Sequence, residues 1–268
     1  MSLFRCPVCG APLVLGEKVY ACPQGHSFDV ARQGYCNLLP VTKKHSKSPG
    51  DTKEQVQARR AFLSGGFYRP IADMLCRLAV PLKPNTVVDA GCGEGYYLNT
   101  LREALPQADL LGLDISKEAV RCAAGRYKSI TWLTATAADM PLFEESADLL
   151  LSLFALTAPG EFHRVLAPGG HFLQVLAGED HLLGLKSIIY PELFHKEKIS
   201  HPVLPGFTLQ KTETLEFTFT LEEHQMVESL LYMTPHVYRI NQAGLERLRA
   251  TPRLTDTAQV IFNLYCKE

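Results

Sequence analysis

Four side chains near the N-terminus, Cys6, Cys9, Cys22 and His26, have the types and the spacing of a zinc site. They form a Cys-x2-Cys pair, a gap of twelve residues, and then a Cys-x3-His pair. Zinc prefers four thiolate or imidazole ligands in a tetrahedron, and each short pair can hold the ion from one side. Because four protein ligands leave no open coordination position, the spacing predicts a structural zinc ion, Zn(2+), rather than a catalytic one.

The residues between the two ligand pairs have the pattern of a β-hairpin. Strand-like stretches at 13–15 and 18–21 flank a Gly16-Glu17 turn, and proline and glycine accompany both ligand pairs. Two other interpretations are open: unrelated buried thiols beside a surface histidine, and a disulfide framework. No signal peptide precedes Cys6, which favours a reducing compartment, where paired cysteines more often hold metal. We therefore expect a cytoplasmic protein.

A second set of residues has the pattern of a cofactor-binding loop. Residues 86–88 predict a short strand that ends at Asp89, and the run 91–95, Gly-Cys-Gly-Glu-Gly, leads into a helical stretch at 96–105. Glycines let the backbone turn sharply and approach a ligand closely, although this spacing differs from the dinucleotide fingerprint. Asp114 ends the next predicted strand, about twenty residues later, where a carboxylate can accept hydrogen bonds from both ribose hydroxyls.

The composition indicates a folded chain that does not enter a membrane. The chain has 268 residues, of which 46% are hydrophobic, so it can bury a large core and is not disordered throughout. No apolar run approaches the ~20 residues that span a bilayer, and we expect no membrane partner.

The net charge of -1 conceals a basic N-terminal quarter. Residues 1–66 contain nine Lys or Arg against four Asp or Glu, a balance of about +5. The cations concentrate at Lys43, Lys44, Lys47, Lys53, Arg59 and Arg60. A positive segment beside a zinc module is typical of proteins that bind a phosphate backbone, but a solvated linker would have the same charge.

The rest of the chain alternates between strand and helix patterns, as a doubly wound α/β sheet requires. Helices are predicted from Ser116 to Arg126 and at 160–166, and a turn at 167–170. Strands are predicted at 130–135, 148–154, 171–177, 207–221 and 257–265.

Over roughly residues 70–268, these motifs together resemble the class I S-adenosylmethionine-dependent methyltransferases, which have a Rossmann-like sheet. The resemblance implies that S-adenosyl-L-methionine is the cofactor and that the glycine loop holds its methionine part. It implies that Asp114 holds the ribose. The residues so assigned to the loop are Asp89, Gly91, Gly93 and Glu94.

The adenine contact is assigned by counting back from Pro141. The positions that match the family's Asp-Ala pair are Thr136 and Ala137, which implies contact through the backbone or the hydroxyl. Asp139 does not match by this count, and we expect it to be a solvent-facing turn residue.

The order of motifs along the whole chain resembles the bacterial large-subunit (23S) ribosomal RNA guanine-N1 methyltransferases, which modify a hairpin loop. The motifs are the two zinc-ligand pairs, Gly34-Tyr35-Cys36-Asn37-Leu38-Leu39, Gly50-Asp51, Ala58-Arg59-Arg60-Ala61-Phe62-Leu63, Gly66-Phe67-Tyr68, the loop at 89–97, Asp114-Ile115-Ser116-Lys117, His181-Leu182 and Met233-Thr234-Pro235.

This resemblance implies an enzyme that transfers a methyl group from S-adenosylmethionine to N1 of a guanine in ribosomal RNA. It implies that Tyr68 and His181 also touch the cofactor. The domains would be a zinc-ribbon module for RNA recognition at 1–40, a basic linker and helix at 41–69, and the methyltransferase domain at 70–268. The partner is large-subunit ribosomal RNA, and the resemblance leaves room for a homodimer.

Residues 154–159, Phe-Ala-Leu-Thr-Ala-Pro, depart from the family's Ala-Pro-Cys run near the target base, which leaves open which guanine is methylated. The Asn/Asp-Pro-Pro-aromatic motif of enzymes that methylate exocyclic amines is absent, which favours a ring nitrogen. Guanine N1 must lose a proton, but the sequence identifies no catalytic base. The alternatives are a methyltransferase for another RNA or a small molecule, and a non-enzymatic RNA-binding protein. The intact loop and Asp114 argue against the second.

Overall fold

An eight-stranded sheet forms the centre of the molecule, and a small three-stranded antiparallel sheet precedes it in the chain. The structure, a computed structural model, describes residues 3–43, 46, 49–193 and 199–268. The strands are β1 (Val14–Leu15), β2 (Val19–Ala21), β3 (Ser27–Asp29), β4 (Tyr35–Asn37), β5 (Thr86–Ala90), β6 (Asp109–Asp114), β7 (Thr131–Thr134), β8 (Ala147–Leu153), β9 (Leu166–Ala177), β10 (Phe207–Leu221) and β11 (Leu254–Lys267). The α-helices are α1 (Lys53–Ser64), α2 (Arg69–Ala79), α3 (Tyr96–Ala104), α4 (Lys117–Arg126), α5 (Pro159–Val165), α6 (Leu183–Ile189), α7 (His224–Tyr232) and α8 (Gln242–Arg249). Short 3-10 helices span Val41–Lys43, Val80–Leu82 and Pro235–Tyr238.

The central sheet has the strand order β10-β11-β9-β8-β5-β6-β7-β4. The strands from β9 to β4 in this order run parallel, and β11 lies antiparallel between β9 and β10. The order reverses at β5, because the chain continues to β6 and β7 on one side and returns to β8 on the other. Ligands of doubly wound sheets bind at such a switch point, beyond the carboxyl ends of the strands. The predicted α/β class, including the strands at 207–221 and 257–265, is confirmed.

Each face of the sheet buries its own apolar cluster, because side chains alternate along a strand. Val87 and Leu149 belong to the cluster on one face, whereas Val88 and Leu150 belong to the cluster on the other. Helices α2, α3 and α6 contribute to the first cluster, and α5 and the N-terminal segment contribute to the second. The central strands are therefore apolar on both sides, and four of the five residues of β5 are buried.

Strand β4 joins the N-terminal module to the central sheet. It pairs in parallel with β7, with Cys36 opposite Leu133, and the Leu38 amide donates to the Thr134 carbonyl at 2.9 Å. Cys36 and Leu38 pack in the same buried cluster as the zinc ligands Cys6 and Cys22. The module and the sheet therefore share a core, although the boundary at residue 40 stays a prediction.

Local sequence explains how several helices begin. The Thr52 hydroxyl accepts from the Gln55 amide, and the Gln55 side chain accepts from the Thr52 amide, which forms a capping box for α1. Ser116 caps α4 as predicted, by accepting from the Ala119 amide.

The turn predicted at 167–170 is wrong: these residues are the first part of β9, which shifts register against β8. In the ranges that the structure describes, no helix is both long and apolar enough to cross a bilayer.

Candidate active site and zinc site

The structure brings the four predicted zinc ligands together. The ligand atoms of Cys6, Cys9, Cys22 and His26 all lie within 4.8 Å of one another. The Sγ atoms of Cys9 and Cys22 are 3.7 Å apart, and Cys22 Sγ lies 3.4 Å from His26 Nδ1. Tetrahedral bonds of ~2.3 Å to sulfur and ~2.0–2.1 Å to nitrogen separate such atoms by about 3.8 and 3.6 Å. The donor set and its distances therefore fit a four-coordinate zinc ion.

Each ligand pair lies in a tight turn that a backbone hydrogen bond closes. The Gly10 amide donates to the Cys6 carbonyl at 2.8 Å, and the Gly25 amide donates to the Cys22 carbonyl at 3.0 Å. Both glycines have positive φ, 75° and 84°, which side chains with a Cβ rarely adopt. The glycine after Cys9 and the glycine before His26 are thus required by the turns that aim the ligands.

The glycine loop connects β5 to α3 with three left-handed glycines. Gly91, Gly93 and Gly95 have φ values of 93°, 56° and 87°. A Cβ on Gly91 would lie 2.5 Å from the Ala155 Cβ, and a Cβ on Gly95 would lie equally close to an indole ring. A Cβ on Gly93 would instead meet the Arg59 side chain, whose Cδ is 3.6 Å away. The two ends of the loop are packed against apolar groups, while its centre faces a cation.

Two buried carboxylates belong to this region: Asp89 precedes the loop, and Glu94 lies within it. Asp89 and Glu94 are each 1% exposed, and neither Asp89 Oδ1 nor Glu94 Oε1 has a hydrogen-bond partner in the described part of the chain. Burial, with a smaller contribution from the charge of Asp114, raises the pKa of Asp89 to about 8. Burial also raises the pKa of Glu94, although Arg126 Nη1 donates to its Oε2 at 3.0 Å. Unpaired buried acceptors are unfavourable, so these oxygens suit a cationic ligand beside the loop.

Asp114 is oriented at the carboxyl end of β6. Its Oδ2 accepts from the Gly93 amide at 2.9 Å, and its Oδ1 accepts from the Ser116 amide at 2.8 Å. Burial raises the pKa of Asp114, and the two amide hydrogen bonds oppose that increase. Each carboxylate oxygen can accept a further hydrogen bond. The carboxylate is therefore held by the loop and by the start of α4, and its contact with the ribose stays a prediction.

Tyr68 and His181 meet in a cavity of about 960 Å³. The Tyr68 hydroxyl lies 3.4 Å from His181 Nε2, and His181 Nδ1 lies 3.0 Å from the Gln259 carbonyl oxygen. Because a carbonyl only accepts, Nδ1 is assigned the proton and Nε2 faces the hydroxyl as an acceptor. Burial raises the pKa of Tyr68, so its hydroxyl stays a neutral donor. The two residues predicted from the whole-chain resemblance thus share one site, and their contact with the cofactor stays a prediction.

Thr136 and Ala137 follow β7 at the same edge of the sheet as Asp114. Both are half-buried, and the Thr136 hydroxyl accepts from the Ala138 amide at 3.2 Å. They do not line the large cavity, which is lined at the carboxyl edge of the sheet by Phe154 and Ala155 after β8 and by Leu176 and Ala177 at the end of β9, and also by Asp51. Next to Asp51, a Cβ on Gly50 would lie 2.8 Å from the Ser116 Cβ. The contact of Thr136 and Ala137 with the adenine therefore stays a prediction. Gly50 packs closely against the residues that follow Asp114 at the same edge.

Asp139 lies at a turn with its side chain 40% exposed, as expected of a solvent-facing turn residue, but its carboxylate is also paired. Asp139 Oδ1 accepts from Arg5 Nη2 at 2.7 Å, and Oδ2 forms an ion pair with Lys43. Partial burial raises the pKa of Asp139, but the hydrogen bond and charge of Lys43 and the charge of Arg5 lower it overall. This carboxylate therefore joins the N-terminal module to the loop before β8.

Asp51, Arg59 and Phe154 are among the cavity-lining residues to which the sequence analysis gave no role in this site. The charge pattern groups Arg59 with the cations of the basic segment, yet the structure places its side chain beside the glycine loop. The pattern of α1 contained a clue, because positions 55, 56, 59, 62 and 63 share one helical face, and all but Arg59 are buried apolar or amide residues. Phe154 follows β8 with a φ of 54°, and its ring centroid lies 6.0 Å from that of His181. A bulky residue in this conformation is strained, which often marks a functional site.

Two family profiles match the chain in ranges that agree with this structure. The profile described as "RlmA, N-terminal", a zinc ribbon, matches residues 4–47. The profile described as "Methyltransferase domain" matches residues 87–170, which contain the glycine loop and Asp114. The predicted structural zinc and the predicted S-adenosylmethionine-dependent methyltransferase are therefore confirmed at the level of these families.

Relatives extend the similarity over most of the chain. The 23S rRNA (guanine(748)-N(1))-methyltransferase of Streptomyces fradiae is 37% identical over 255 residues, which cover 91% of this chain and 88% of that protein. Two proteins carry a 23S rRNA (guanine-N(1)-)-methyltransferase name provisionally. One, from Micromonospora griseorubida, is 39% identical and covers 68% of each chain. The other, YxjB of Bacillus subtilis (strain 168), is 31% identical and covers 87% of this chain and 86% of its own. The chain belongs to the family of 23S rRNA (guanine-N1)-methyltransferases.

Proposed function

We propose that this enzyme transfers a methyl group from S-adenosylmethionine to N1 of a guanine in 23S ribosomal RNA. The observation that carries the proposal is the composition of the 960 Å³ cavity. One part of its wall, which we call the loop-side wall, consists of Asp51, Arg59, Tyr68, Phe154 and His181. A second group of lining residues, which we call the α6-side wall, includes the aromatic and basic side chains of Lys186, Tyr190, His236, Tyr238 and Arg239.

The loop-side wall has the properties of a cofactor site. Arg59 lies against Gly93, and Ala155, which follows Phe154, lies against Gly91. The cofactor supplies a methyl group that its sulfonium already activates. The protein's task is then to align the acceptor with that methyl and to exclude water. The rings of Tyr68 and Phe154 both lie beside His181, with centroids 6.2 and 6.0 Å from its ring, and supply an aromatic surface for this purpose.

The α6-side wall has the properties of a site for an unstacked base. The Tyr190 hydroxyl lies 2.8 Å from His236 Nδ1, and their rings meet edge to face with centroids 5.5 Å apart. Aromatic rings with nearby cations bind single-stranded nucleic acid by stacking and charge. A guanine N1 is inaccessible in a stacked, paired base, so the enzyme must receive it extruded. The cavity volume is near the upper end of the ~300–1,000 Å³ range of small-molecule sites, which leaves room for a base beside the cofactor.

The N-terminal module is proposed to contact the RNA backbone outside this cavity. In the basic segment, Lys43 pairs with Asp139, and Lys44 and Lys47 lie outside the described residues. A substrate made of ribosomal RNA implies a cytoplasmic site of action, which we propose for this enzyme. A homodimer stays a prediction.

Methyl transfer from labelled S-adenosylmethionine to unmodified 23S ribosomal RNA tests the proposal. We expect label on one guanine, and a reverse-transcription stop there, because an N1 methyl blocks the base-pairing edge. Mapping then shows whether the target is guanine 748, the position in the name of the Streptomyces fradiae relative, or a neighbour. Asp114→Ala protein and RNA with adenine at the mapped position serve as controls. Label on another RNA, on a small molecule or on an exocyclic amine would overturn the proposal.

A further inference from the structure

Arg59 extends from α1 towards the glycine loop. Its Cδ lies 3.6 Å from the position that a Cβ on Gly93 would take, and its side chain is 27% exposed. It also lines the large cavity together with Tyr68. The next residue, Arg60, is exposed and does not line the cavity. Two adjacent arginines therefore have different surroundings, and of the two Arg59 is the one that lines the cavity.

Asp51 holds one part of the Arg59 guanidinium. Arg59 Nη2 donates to Asp51 Oδ2 at 2.7 Å, and the Asp51 carbonyl accepts from the Ser116 hydroxyl at 2.7 Å. Ser116 also donates its amide to Asp114. Arg59 is thus connected through Asp51 to the end of β6 where the ribose is expected.

The Nε of Arg59 is buried, and it finds no acceptor among the described residues. A charged donor that is buried without an acceptor is unfavourable, so such a group marks a place for a ligand or for water. A guanidinium offers several coplanar N–H groups, and their geometry matches a carboxylate. One part of this fork binds Asp51, while the Nε–H stays available for a second carboxylate.

We propose that Arg59 binds the carboxylate of the methionine part of S-adenosylmethionine, and that Asp51 positions the guanidinium for this contact. The cofactor carries a sulfonium, an ammonium and one carboxylate. At the loop, the unpaired oxygens of Asp89 and Glu94 suit the cations, and Arg59 supplies the opposite charge beside Gly93. The inference rests on the proposed function, because it assigns a role in binding that reaction's cofactor.

The other cations near this site are less suited to the role. Arg126 is paired with the buried Glu94, with Nη1 3.0 Å from Oε2. Lys186 and Arg239 line the cavity from α6 and from the segment after α7, on the α6-side wall. Among the described residues, Arg59 is therefore the cation that lies against the centre of the loop.

Calorimetric binding of two ligands tests the inference. S-adenosylmethionine and its decarboxylated form differ only in the carboxylate, so their affinity ratio reports recognition of that group. We expect the unmodified protein to prefer S-adenosylmethionine by roughly 10- to 100-fold, the effect of one charged hydrogen-bonded contact. Arg59→Met should lose this preference while still binding the decarboxylated ligand as the unmodified protein does. Arg60→Met, the matched control, should keep it, and Asp51→Asn should reduce it.

Two outcomes would overturn the inference. In one, Arg59→Met keeps the full preference, which means that another group recognises the carboxylate. In the other, Arg59→Met weakens both ligands by the same factor, which means that Arg59 only supports the fold of the site. The ratio is measured within one variant, so a general loss of stability does not imitate the expected result. A protein that shows the expected ratios but methylates no ribosomal RNA would contradict the proposed function and leave this inference standing.

Discussion

Arg5 Nη2 donates to Asp139 Oδ1 across 2.7 Å, and this ion pair joins the zinc module to the loop that follows β7. Lys43 reaches the other oxygen of the same carboxylate from the segment after the module. Arg5 also donates to the Met140 carbonyl at 3.3 Å, so its guanidinium is held by more than one group. The module is thereby fixed against the methyltransferase sheet by polar contacts as well as by the shared core.

The first prediction concerns the energy of this pair. Asp139→Asn should lower the free energy of unfolding by less than about 1 kcal/mol, because both side chains are partly exposed, at 30% and 40%. A double-mutant cycle with Arg5→Ala should give a coupling of about 0.2–1 kcal/mol that decreases at high salt. Affinity for S-adenosylmethionine should be unchanged. A large loss of cofactor affinity in Asp139→Asn would show that this carboxylate belongs to the adenine site after all.

The second prediction concerns zinc removal. The zinc ligands and β4 share one buried cluster, so losing the metal should loosen the edge of the central sheet as well as the module. Cys22→Ser, or chelation, should increase hydrogen exchange at the Leu38 amide, which bonds Thr134, while amides of β5 stay protected. Elemental analysis should find one zinc ion per unmodified chain. Unchanged exchange at Leu38 after zinc loss would show that the sheet edge is stable on its own.

The third prediction concerns the glycine loop. Gly91→Ala should weaken S-adenosylmethionine binding by tenfold or more, because its Cβ would lie 2.5 Å from Ala155 and the φ of 93° disfavours alanine. Asp114→Ala should weaken binding by removing the ribose acceptors. Gly125→Ala is the matched control, since a Cβ there has open space within α4 and should be neutral or slightly stabilising. Calorimetry measures all three, and equal affinity in Gly91→Ala and Gly125→Ala would contradict the assignment of the loop.

The fourth prediction concerns pH. Burial, followed by the charge of Asp114, raises the pKa of Asp89 to about 8, so in the free protein this carboxyl group holds its proton at neutral pH. A cationic cofactor favours the ionised form, so binding should release a proton below pH 8. Affinity should therefore rise with pH by up to about tenfold per unit and level off above pH 8. The free energy of unfolding should move in the opposite direction, falling between about pH 4 and 8, because the unfolded chain ionises more readily.

Asp89→Asn tests the assignment of this proton. The variant should show a flatter dependence of cofactor affinity on pH, and calorimetry in buffers of different ionisation heat should detect less proton release. A pH profile identical to that of the unmodified protein would assign the titration to another group, for which Glu94 and Asp114 are the nearby candidates with raised pKa values.

The fifth prediction concerns RNA capture. Neutralising Lys43, Lys44 and Lys47 together should weaken RNA binding and make the slope of log affinity against log salt shallower by up to ~0.7–0.9 per lost phosphate contact. The contribution of Lys43 should be small, because Asp139 already neutralises it. Cofactor affinity and the choice of guanine should not change, since phosphate contacts position the substrate without selecting a base. An unaltered salt slope would mean that this stretch is only a linker.

The sequence alone predicted the zinc-ligand set, the glycine loop, Asp114 at the end of β6 and most strands of the central sheet, but not the helices α6, α7 and α8. These features are local: the chelating pairs are short, a left-handed turn needs glycine, and period-two and period-3.6 patterns reflect which face is buried. The strands from β5 to β9 were recognisable because the centre of a parallel sheet is apolar on both faces. The two long C-terminal strands were recognisable by their alternation.

The tertiary structure decided which distant residues share a site. Arg59 and Lys43 both belong to one basic stretch of sequence, yet Arg59 faces the cofactor loop and Lys43 binds Asp139. Sequence charge does not show which way a side chain points; that depends on the face that α1 buries against the sheet. Likewise β4 lies within the predicted zinc module but pairs with β7, about a hundred residues later in the chain. Pairings of this kind depend on shared burial between remote segments, which leaves no local pattern in the sequence.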